Sequence, residues 1–340
     1  MAHGTHDHLP DPRNAAIVIG VNDDLLPREQ AVVSVFDSGF ILGDGVWEGI
    51  RVHRGQPAFL DAHLARLYEG AKAIDLDIGR PPAELAAMIR RVLDANGMGP
   101  APAGEAPAAT HREAAEAAEA DDAVHVRLMV SRGIKSTPYQ DPRFTISPPT
   151  IVVIAEHKAP RPETASEGIR LFTVHVRRGH PDVQDPKLNS HSKLNCITAC
   201  IQAAKAGADE ALMLDPHGFV ATCNSTHFFV VRGGEVWTST GDYCLAGITR
   251  ANVLALCREF GITARERNIS LTEVYGADEA FVTGTFAGLA PVTEVDGRVI
   301  GAGRRGPVTE RLQALYRGLL DRDVDRAAGV DRSATPWWLR

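Results

Sequence analysis

The 340-residue sequence has no apolar run near the ~20 residues that a membrane-spanning helix requires. Nor do we expect a secretory signal, because Met1 to Arg13 has no apolar core. A strongly basic surface is missing too: the net charge is −7, which argues against a nucleic-acid partner. We therefore expect a soluble, cytoplasmic protein that acts on small molecules, with neither membrane nor nucleic acid as a partner.

Cysteine is scarce, and its spacing suggests no paired site. The chain has five cysteines, an odd number, and no Cys-x-x-Cys pair. A reduced cytosolic protein without a disulfide framework is the simplest interpretation. His3, His6 and His8 near the start could bind a metal, but a loose terminus is the preferred interpretation, and no metal site is predicted.

The rest of the composition is that of a globular protein, with 44% hydrophobic and 23% charged residues. Changes in apolar periodicity and polarity along the chain predict two lobes of α+β type. We expect an N-terminal extension (1–28), a smaller lobe (29–156), a polar linker (157–168), a larger lobe (169–322) and a C-terminal tail (323–340). Residues 99–122, rich in Ala, Glu and Pro, are predicted to be a surface insertion that adds little to the core.

Within the lobes, the hydrophobic spacing predicts individual elements. Helices are expected at about 60–74, 83–95, 194–206, 250–260 and 307–320. Strands are expected within 29–59 and at 124–131, 150–155, 169–176, 210–214, 219–221, 228–231 and 235–238.

Three positions could hold a phosphate group. The segment 245–250 supplies a turn, a hydroxyl and free amides just before a helix, and Thr283-Gly284-Thr285 follows a strand. Arg66 lies on the first long helix. Taken singly, these features are better explained by a glycine turn with Thr249 as N-cap and by a solvated surface arginine.

Five blocks, in order, resemble the class IV aminotransferases, the fold-type IV enzymes that use pyridoxal 5′-phosphate (PLP). This family includes branched-chain and D-amino-acid aminotransferases. The blocks are FDSGFILGDGVWEGIRVHRGQPAFLDAHLARL (36–67), GADEALMLDPHGFVATCNSTHFFVV (207–231), CLAGITR (244–250), FVTGTFAGLAPVTEVDGRVIG (281–301) and GPVTERLQALYRGL (306–319). The resemblance implies a two-domain fold of the D-amino-acid aminotransferase-like type, PLP as cofactor and a homodimer.

The resemblance also implies roles for individual residues. The phosphate of PLP would be held by Arg66, Ile248, Thr249 and Thr285. The substrate carboxylate would meet the backbone at Gly284 and Phe286, and Trp47 would line the substrate pocket. Arg127 is a further candidate for a substrate carboxylate, with an ordinary surface arginine as the alternative.

The first departure from the family pattern concerns the lysine that binds PLP. The usual pattern resembles DPRIKSLNYLNN, and an ungapped comparison places its lysine on Asn189. Lys187 then takes the place of the arginine, and Lys193 takes the place of the tyrosine one helical turn on. Bond formation needs a neutral amine within reach of the cofactor. We favour Lys193, whose long side chain can adapt; Lys187 is the alternative, and neither lysine is the third possibility.

The second departure is Thr222, which stands where the family has a glutamate against the pyridine nitrogen. A neutral hydroxyl should weaken the ring as an electron acceptor. His227 stands where Asn is common; it could be an acid–base group, but a structural hydrogen-bonding role is preferred.

These features favour amino transfer between an amino acid (branched-chain-like or D-) or an amine and a 2-oxo acid, with Lys193 as the catalytic base. A PLP-dependent lyase acting on an amino acid is the alternative suggested by Thr222. A degenerate family member without catalysis is the third interpretation.

Overall fold

The computed structural model describes residues 4–100 and 123–329. Residues 101–122 of the predicted insertion lie outside this part of the chain. The described strands form two separate sheets, one for each predicted lobe.

The first sheet is antiparallel and has the strand order β2-β1-β6-β5-β3-β4. Its strands are β1 (Val18–Val21), β2 (Asp24–Pro27), β3 (Gly45–His53), β4 (Gln56–Pro57), β5 (Val124–Ser131) and β6 (Thr150–His157). The helices of this lobe are α1 (Ser38–Leu42), α2 (Leu60–Ala73) and α3 (Pro82–Ala95). Short 3₁₀ turns lie at Pro12–Ala16, Arg28–Gln30 and Pro142–Phe144.

The alternation of side chains along β5 decides which residues face the core. Val124, Val126, Leu128 and Val130 are buried in the same apolar cluster as the inner faces of α2 and α3. Because successive side chains point to opposite faces of a strand, the intervening residues 125, 127 and 129 face away from this core. Arg127 thereby lies on the face that borders the cavity described below.

The predicted start of the smaller lobe at residue 29 is wrong. β1 and β2 belong to the first sheet, because β1 pairs with both β2 and β6. Ile17 and Ile19 are buried in the core of this lobe. Polar residues between these short strands obscure their alternation in the sequence, so only the pairing with β6 reveals them.

The second sheet has the order β12-β11-β10-β13-β14-β7-β8-β9, and β15 pairs with β14. Its strands are β7 (Ile169–Thr173), β8 (Glu210–Leu214), β9 (Val220–Cys223), β10 (His227–Arg232), β11 (Glu235–Thr238), β12 (Ala264–Glu266), β13 (Glu279–Gly284), β14 (Gly288–Val295) and β15 (Arg298–Val299). The helices are α4 (Pro162–Ser166), α5 (Pro181–Gln184), α6 (Leu194–Lys205), α7 (Ile248–Glu259), α8 (Leu271–Tyr275) and α9 (Pro307–Ala327).

Two apolar clusters of the larger lobe enclose this sheet, and one of them includes buried residues of α7 and α9. Phe229 on β10 stacks on Phe281 of β13, with ring centroids 4.8 Å apart. α9 extends to Ala327 instead of ending near residue 320, so the first residues of the predicted tail are helical.

The end of α9 joins the two lobes. His53 lies 2.8 Å from Asp321, and the backbone amide of Phe59 donates to Asp323 over 2.5 Å. These contacts hold the start of α2 against the larger lobe and so fix the position of Arg66. No helix among the described residues has the length and apolar character needed to cross a bilayer.

Candidate active site

A buried ion network holds Arg66 in place. Glu48 on β3 is completely buried and accepts hydrogen bonds from Arg66 Nε (2.8 Å), Arg66 Nη2 (2.7 Å) and His63 (2.7 Å to Nδ1). Burial by itself would raise the pKa of Glu48, but the bonds from His63 and Arg66 outweigh it and leave the pKa below its usual value. Glu48 is a site residue that the sequence reasoning missed, although it lies inside the quoted segment GVWEGIR.

Arg66 reaches the other lobe at the start of α7. Its Nη1 donates to the carbonyl of Ala246 over 2.8 Å, one residue before the helix N-cap Gly247. No side chain caps this helix, so its first amides, including those of Ile248 and Thr249, have no intrahelical partner. The buried Thr249 hydroxyl lies 3.4 Å from the Tyr316 hydroxyl. Arg66, Ile248 and Thr249 therefore meet at one place, with the arrangement that a phosphate requires.

His227 is hydrogen-bonded to the segment that leads into α7. Its Nε2–H donates to the carbonyl of Leu245 over 2.7 Å. Burial lowers the pKa of His227 to about 4, so the ring is neutral at pH 7. A Cβ on Gly247 would lie 2.4 Å from His227 Cε1, which explains the glycine at that position. The contacts of His227 are those of a structural hydrogen-bond donor.

Thr222 is buried on β9, and its hydroxyl donates to the carbonyl of Thr226 over 2.8 Å. Because a hydroxyl has one proton, Thr222 Oγ1 then presents only lone pairs to a further partner. The Thr226 hydroxyl in turn donates to Glu210 over 2.7 Å.

β13 ends at Gly284, and the turn that leads to β14 contains Thr285 and Phe286. Gly284 packs close to Thr226, whose Cγ2 would lie 3.2 Å from an added Cβ. Thr283, two residues before Thr285, has a buried hydroxyl without a hydrogen-bond partner among the described residues.

The two candidate lysines have different surroundings. Lys187 is exposed, and its backbone amide donates to Asp185. Lys193 is partly buried and donates from Nζ to Asn189 Oδ1 over 2.9 Å. Burial, with Arg178, Arg66 and Arg127 nearby, lowers the pKa of Lys193 to about 8. With this pKa, roughly a tenth of the Lys193 amine is neutral at pH 7.

A cavity of about 490 Å³ is lined by Lys193, Trp47 and Arg127, together with residues that include Phe40, Met129 and His191. The Arg127 guanidinium carbon lies 3.8 Å from the centroid of the Trp47 ring, and Lys193 Nζ lies 5.2 Å from it. Arg127 makes no hydrogen bond or ion pair with any other residue in the described part of the chain, so its side chain is available to an anion.

Residues 189–191 lie beside the start of β3. Trp47 donates its amide to the Asn189 carbonyl and its indole N–H to the Ser190 carbonyl, both over 3.0 Å. The Asn189 amide nitrogen donates to the Trp47 carbonyl over 2.6 Å. Asn189 thus fixes the cavity wall and offers its oxygen to Lys193.

The expectation of a loose N-terminus is wrong for residues 4–8. Thr5 is buried and hydrogen-bonded to Glu210, and His6 stacks on Phe286 with ring centroids 5.8 Å apart. His8 contacts the edge of the same ring. His3 lies outside the described residues. No cluster of three or more potential metal ligands occurs in the described ranges.

PLP has four features that a site must accommodate: a phosphate, an aldehyde, a ring nitrogen and an aromatic ring. Arg66 with the uncapped start of α7 suits the phosphate, and the partly buried amine of Lys193, with its lowered pKa, suits the aldehyde. The lone pairs of Thr222 suit a protonated ring nitrogen. The residues present therefore fit PLP.

The family model for amino-transferase class IV matches residues 45–295. The chain belongs to the class IV aminotransferases. It is 41% identical over 313 residues to branched-chain-amino-acid aminotransferase-like protein 2 of Arabidopsis thaliana, covering 92% of this chain and 52% of that protein. The chain thus spans about half the length of this relative.

Another relative matches over nearly its whole length. A putative branched-chain-amino-acid aminotransferase of Methanocaldococcus jannaschii is 37% identical, with 88% of this chain and 96% of that protein covered. Among solved structures, the branched-chain aminotransferase of Thermoproteus uzoniensis with norvaline has a TM-score of 0.76 and 28% identity. That match covers 95% of this chain and 98% of the other. The α+β fold is accordingly that of the fold-type IV aminotransferases, as the sequence predicts.

Proposed function

We propose that this class IV aminotransferase binds PLP and moves an amino group between an amino acid or amine and a 2-oxo acid. The observation that carries the proposal is the partly buried amine of Lys193, whose pKa is lowered and which shares one cavity with Trp47 and the unpaired Arg127. The fold and the family match support it. Branched-chain-like or D-amino acids are the proposed donors, since the relatives carry branched-chain and D-alanine aminotransferase names.

Each group of residues has a defined task in this proposal. Arg66, Ile248, Thr249 and Thr285 hold the phosphate, and Glu48 with His63 fixes the direction of Arg66. PLP supplies an aldehyde that binds amines and a ring that accepts electrons. Arg127 and the backbone at Gly284 and Phe286 hold the substrate carboxylate, and Trp47 limits the pocket.

Lys193 has two tasks. As a neutral amine it would hold PLP at its aldehyde, and its Nζ would then be placed to take a proton from the substrate Cα and to release that proton again within the site. Its lowered pKa lets it hold and release this proton near neutral pH. Asn189 accepts a hydrogen bond from Lys193 Nζ and so keeps the amine close to the Trp47 ring.

Reduction of the PLP-loaded protein with borohydride, followed by peptide mass analysis, tests this assignment. We expect the added mass on the peptide that contains Lys193 and amino transfer in the unreduced sample. A protein that takes up no PLP, or turnover by elimination only, would refute the proposal. The family match favours amino transfer over the lyase alternative suggested by Thr222.

The proposal includes a homodimer. Large apolar side chains are exposed on α1, on the loop before it and on α6: Val32 (73%), Val35 (67%), Phe40 (70%), Leu194 (73%) and Ile197 (50%). Such a surface is typical of a protein interface, and Phe40 also lines the cavity. Light scattering coupled to size exclusion should give twice the mass of one chain; a monomer at micromolar concentration would contradict it.

A cytoplasmic location completes the proposal. All five cysteines are free thiols, which fits a reducing compartment. Fractionation of cells that express the protein should recover it with cytosolic markers; recovery with membranes would contradict this location.

A further inference from the structure

A buried carboxylate is connected to Thr222 through Thr226. Glu210 at the start of β8 is buried, and its Oε1 accepts from the Thr5 amide over 3.3 Å and from the Thr5 hydroxyl. Its Oε2 accepts from the Thr226 hydroxyl over 2.7 Å. All of these groups are donors, so they suit an ionised carboxylate, which only accepts hydrogen bonds. The N-terminal segment that contains Thr5 therefore helps to shield Glu210 from water.

Thr226 is held in place at both its side chain and its backbone. Its carbonyl accepts from the Thr222 hydroxyl over 2.8 Å and from the Cys223 amide over 2.9 Å. Both lone pairs of the carbonyl are then used, while Glu210 holds the hydroxyl of the same residue. The proton of Thr222 is thereby directed to Thr226, and the Thr222 oxygen is left as an acceptor for an N–H group.

Glu210 has no cationic partner in the described part of the chain, where no lysine, arginine or histidine lies within ion-pair distance of it. Burial raises the pKa of Glu210, and the hydrogen bonds from Thr5 and Thr226 oppose this rise. Keeping a carboxylate charge in the interior without a partner is costly. A positive ring nitrogen held against Thr222 would offset this cost, because opposite charges attract strongly where little water intervenes.

We propose that Glu210 is a positioning residue for the ring nitrogen of PLP: it holds Thr226, which directs the Thr222 hydroxyl, and its charge favours the protonated nitrogen. The inference deepens the proposed function and rests on it, because it takes Thr222 as the neighbour of the ring nitrogen. It assigns a protonated ring to a site that has a neutral hydroxyl at position 222. A protonated ring accepts electrons well, as amino transfer requires.

Nitrogen-15 NMR of the protein loaded with PLP that is labelled at the ring nitrogen tests the inference. The resonance distinguishes a protonated from a neutral pyridine nitrogen. We expect the wild-type protein at the protonated position at neutral pH. Glu210→Gln keeps the size of the side chain but removes its charge, so it should shift the resonance towards the neutral position. The same resonance in both proteins would overturn the inference.

Glu279 provides a matched control. It is also a buried glutamate, and it accepts from the Thr309 hydroxyl and from the backbone amides of Val308 and Thr309 at the start of α9. Because it has no connection to Thr222, Glu279→Gln should leave the resonance at the protonated position. An equal shift in Glu279→Gln and Glu210→Gln would overturn the specific role of Glu210.

Thr222→Glu distinguishes a positioning role from a general disturbance of the site. This variant places its own carboxylate against the ring nitrogen, so the addition of Glu210→Gln should no longer move the resonance. A shift that persists in the double variant would mean that Glu210→Gln acts on the site by another route, and it would overturn the inference.

Thr226 allows a test that leaves Glu210 unchanged. Thr226→Val has a similar shape but loses the hydroxyl that connects Glu210 to Thr222, so it should shift the resonance in the same direction. Thr226→Ser keeps the hydroxyl and should not. An unchanged resonance in Thr226→Val would overturn the inference. Borohydride mass analysis of the same samples reports separately on the proposed function: no PLP on Lys193 refutes that function, whereas PLP on Lys193 with an unchanged resonance refutes only the role of Glu210.

Discussion

Lys193 Nζ donates a hydrogen bond to Asn189 Oδ1 over 2.9 Å. In an ungapped comparison, the family's PLP-binding lysine falls on Asn189. Asn189 therefore accepts a hydrogen bond from the lysine that lies one helical turn after this expected position. The same asparagine is bonded to the backbone of Trp47 through its carbonyl and its side-chain amide. Through Asn189, the proposed PLP-binding lysine is thus connected to the Trp47 wall of the cavity.

The first prediction separates the two lysines. Lys193→Ala should abolish the visible absorption of the lysine-bound cofactor and amino transfer, because no other lysine in the described part of the chain lines this cavity. Lys187→Ala should keep both, because Lys187 is exposed. Absorption spectra of the PLP-loaded variants measure the effect. Loss of the band in Lys187→Ala alone would assign the role to Lys187.

The second prediction concerns pH. The pKa of Lys193 is lowered to about 8, so the reactive neutral amine increases as pH rises and levels off above that value. The rate of PLP uptake should rise about tenfold per pH unit below this midpoint, where each unit multiplies the neutral fraction tenfold. Arg178→Gln removes a nearby positive charge and should move the midpoint to higher pH. A rate that keeps rising up to pH 10 would contradict the lowered pKa.

The third prediction concerns Arg66. Arg66→Ala removes a charge-assisted bond to the phosphate, so PLP should bind more weakly by about 2 kcal/mol. The variant should also lose about 3–5 kcal/mol of unfolding free energy, because Glu48 stays buried without its main partner. Equilibrium dialysis and urea unfolding measure the two effects.

A second substitution distinguishes these two contributions. Glu48→Gln in the Arg66→Ala background removes the unpaired charge and should restore stability without restoring PLP affinity. Recovery of both the stability and the PLP affinity would show that Arg66 affects PLP binding only by stabilising the fold.

The fourth prediction concerns Gly247. Gly247→Ala would place a methyl group 2.4 Å from His227 Cε1 and should destabilise the protein by about 1–3 kcal/mol. Gly179→Ala is the control, because its nearest atom would lie 3.9 Å away and no left-handed backbone is required there. Adding His227→Ala should relieve the strain of Gly247→Ala. Urea midpoints of all three variants check the argument, and equal midpoints for the two glycine variants would contradict it.

The fifth prediction concerns Thr222. Thr222→Glu places a carboxylate against the ring nitrogen, which strengthens the ring as an electron acceptor and should raise the rate of amino transfer. The larger buried side chain should lower the stability of the PLP-free protein by about 1–3 kcal/mol. Single-turnover rates and urea unfolding give the two quantities. An unchanged rate would mean that Thr222 does not contact the ring nitrogen.

Many of the helices and strands, and the family, can be predicted from the sequence alone, because they depend on residues that are close together in the chain. The period-2 alternation of Val124–Ser131 and the apolar stripe of Leu60–Ala73 are visible without a structure, and both elements form as predicted. The motifs around Arg66, Gly247 and Thr285 are each contiguous in the sequence, so they identify the family and also supply the candidates for phosphate binding.

The tertiary structure decided what depends on residues far apart in the chain. Glu48 becomes recognisable only when α2 and β3 pack together, and β1 becomes part of a sheet only by pairing with β6. Thr5 and Glu210, 205 residues apart, meet in a buried hydrogen bond that no local pattern encodes. Lys193 and Lys187 likewise differ in how much of each side chain is exposed, which depends on the tertiary structure. The backbone of Trp47 fixes Asn189, and only the folded chain brings Lys193 close to the Trp47 ring.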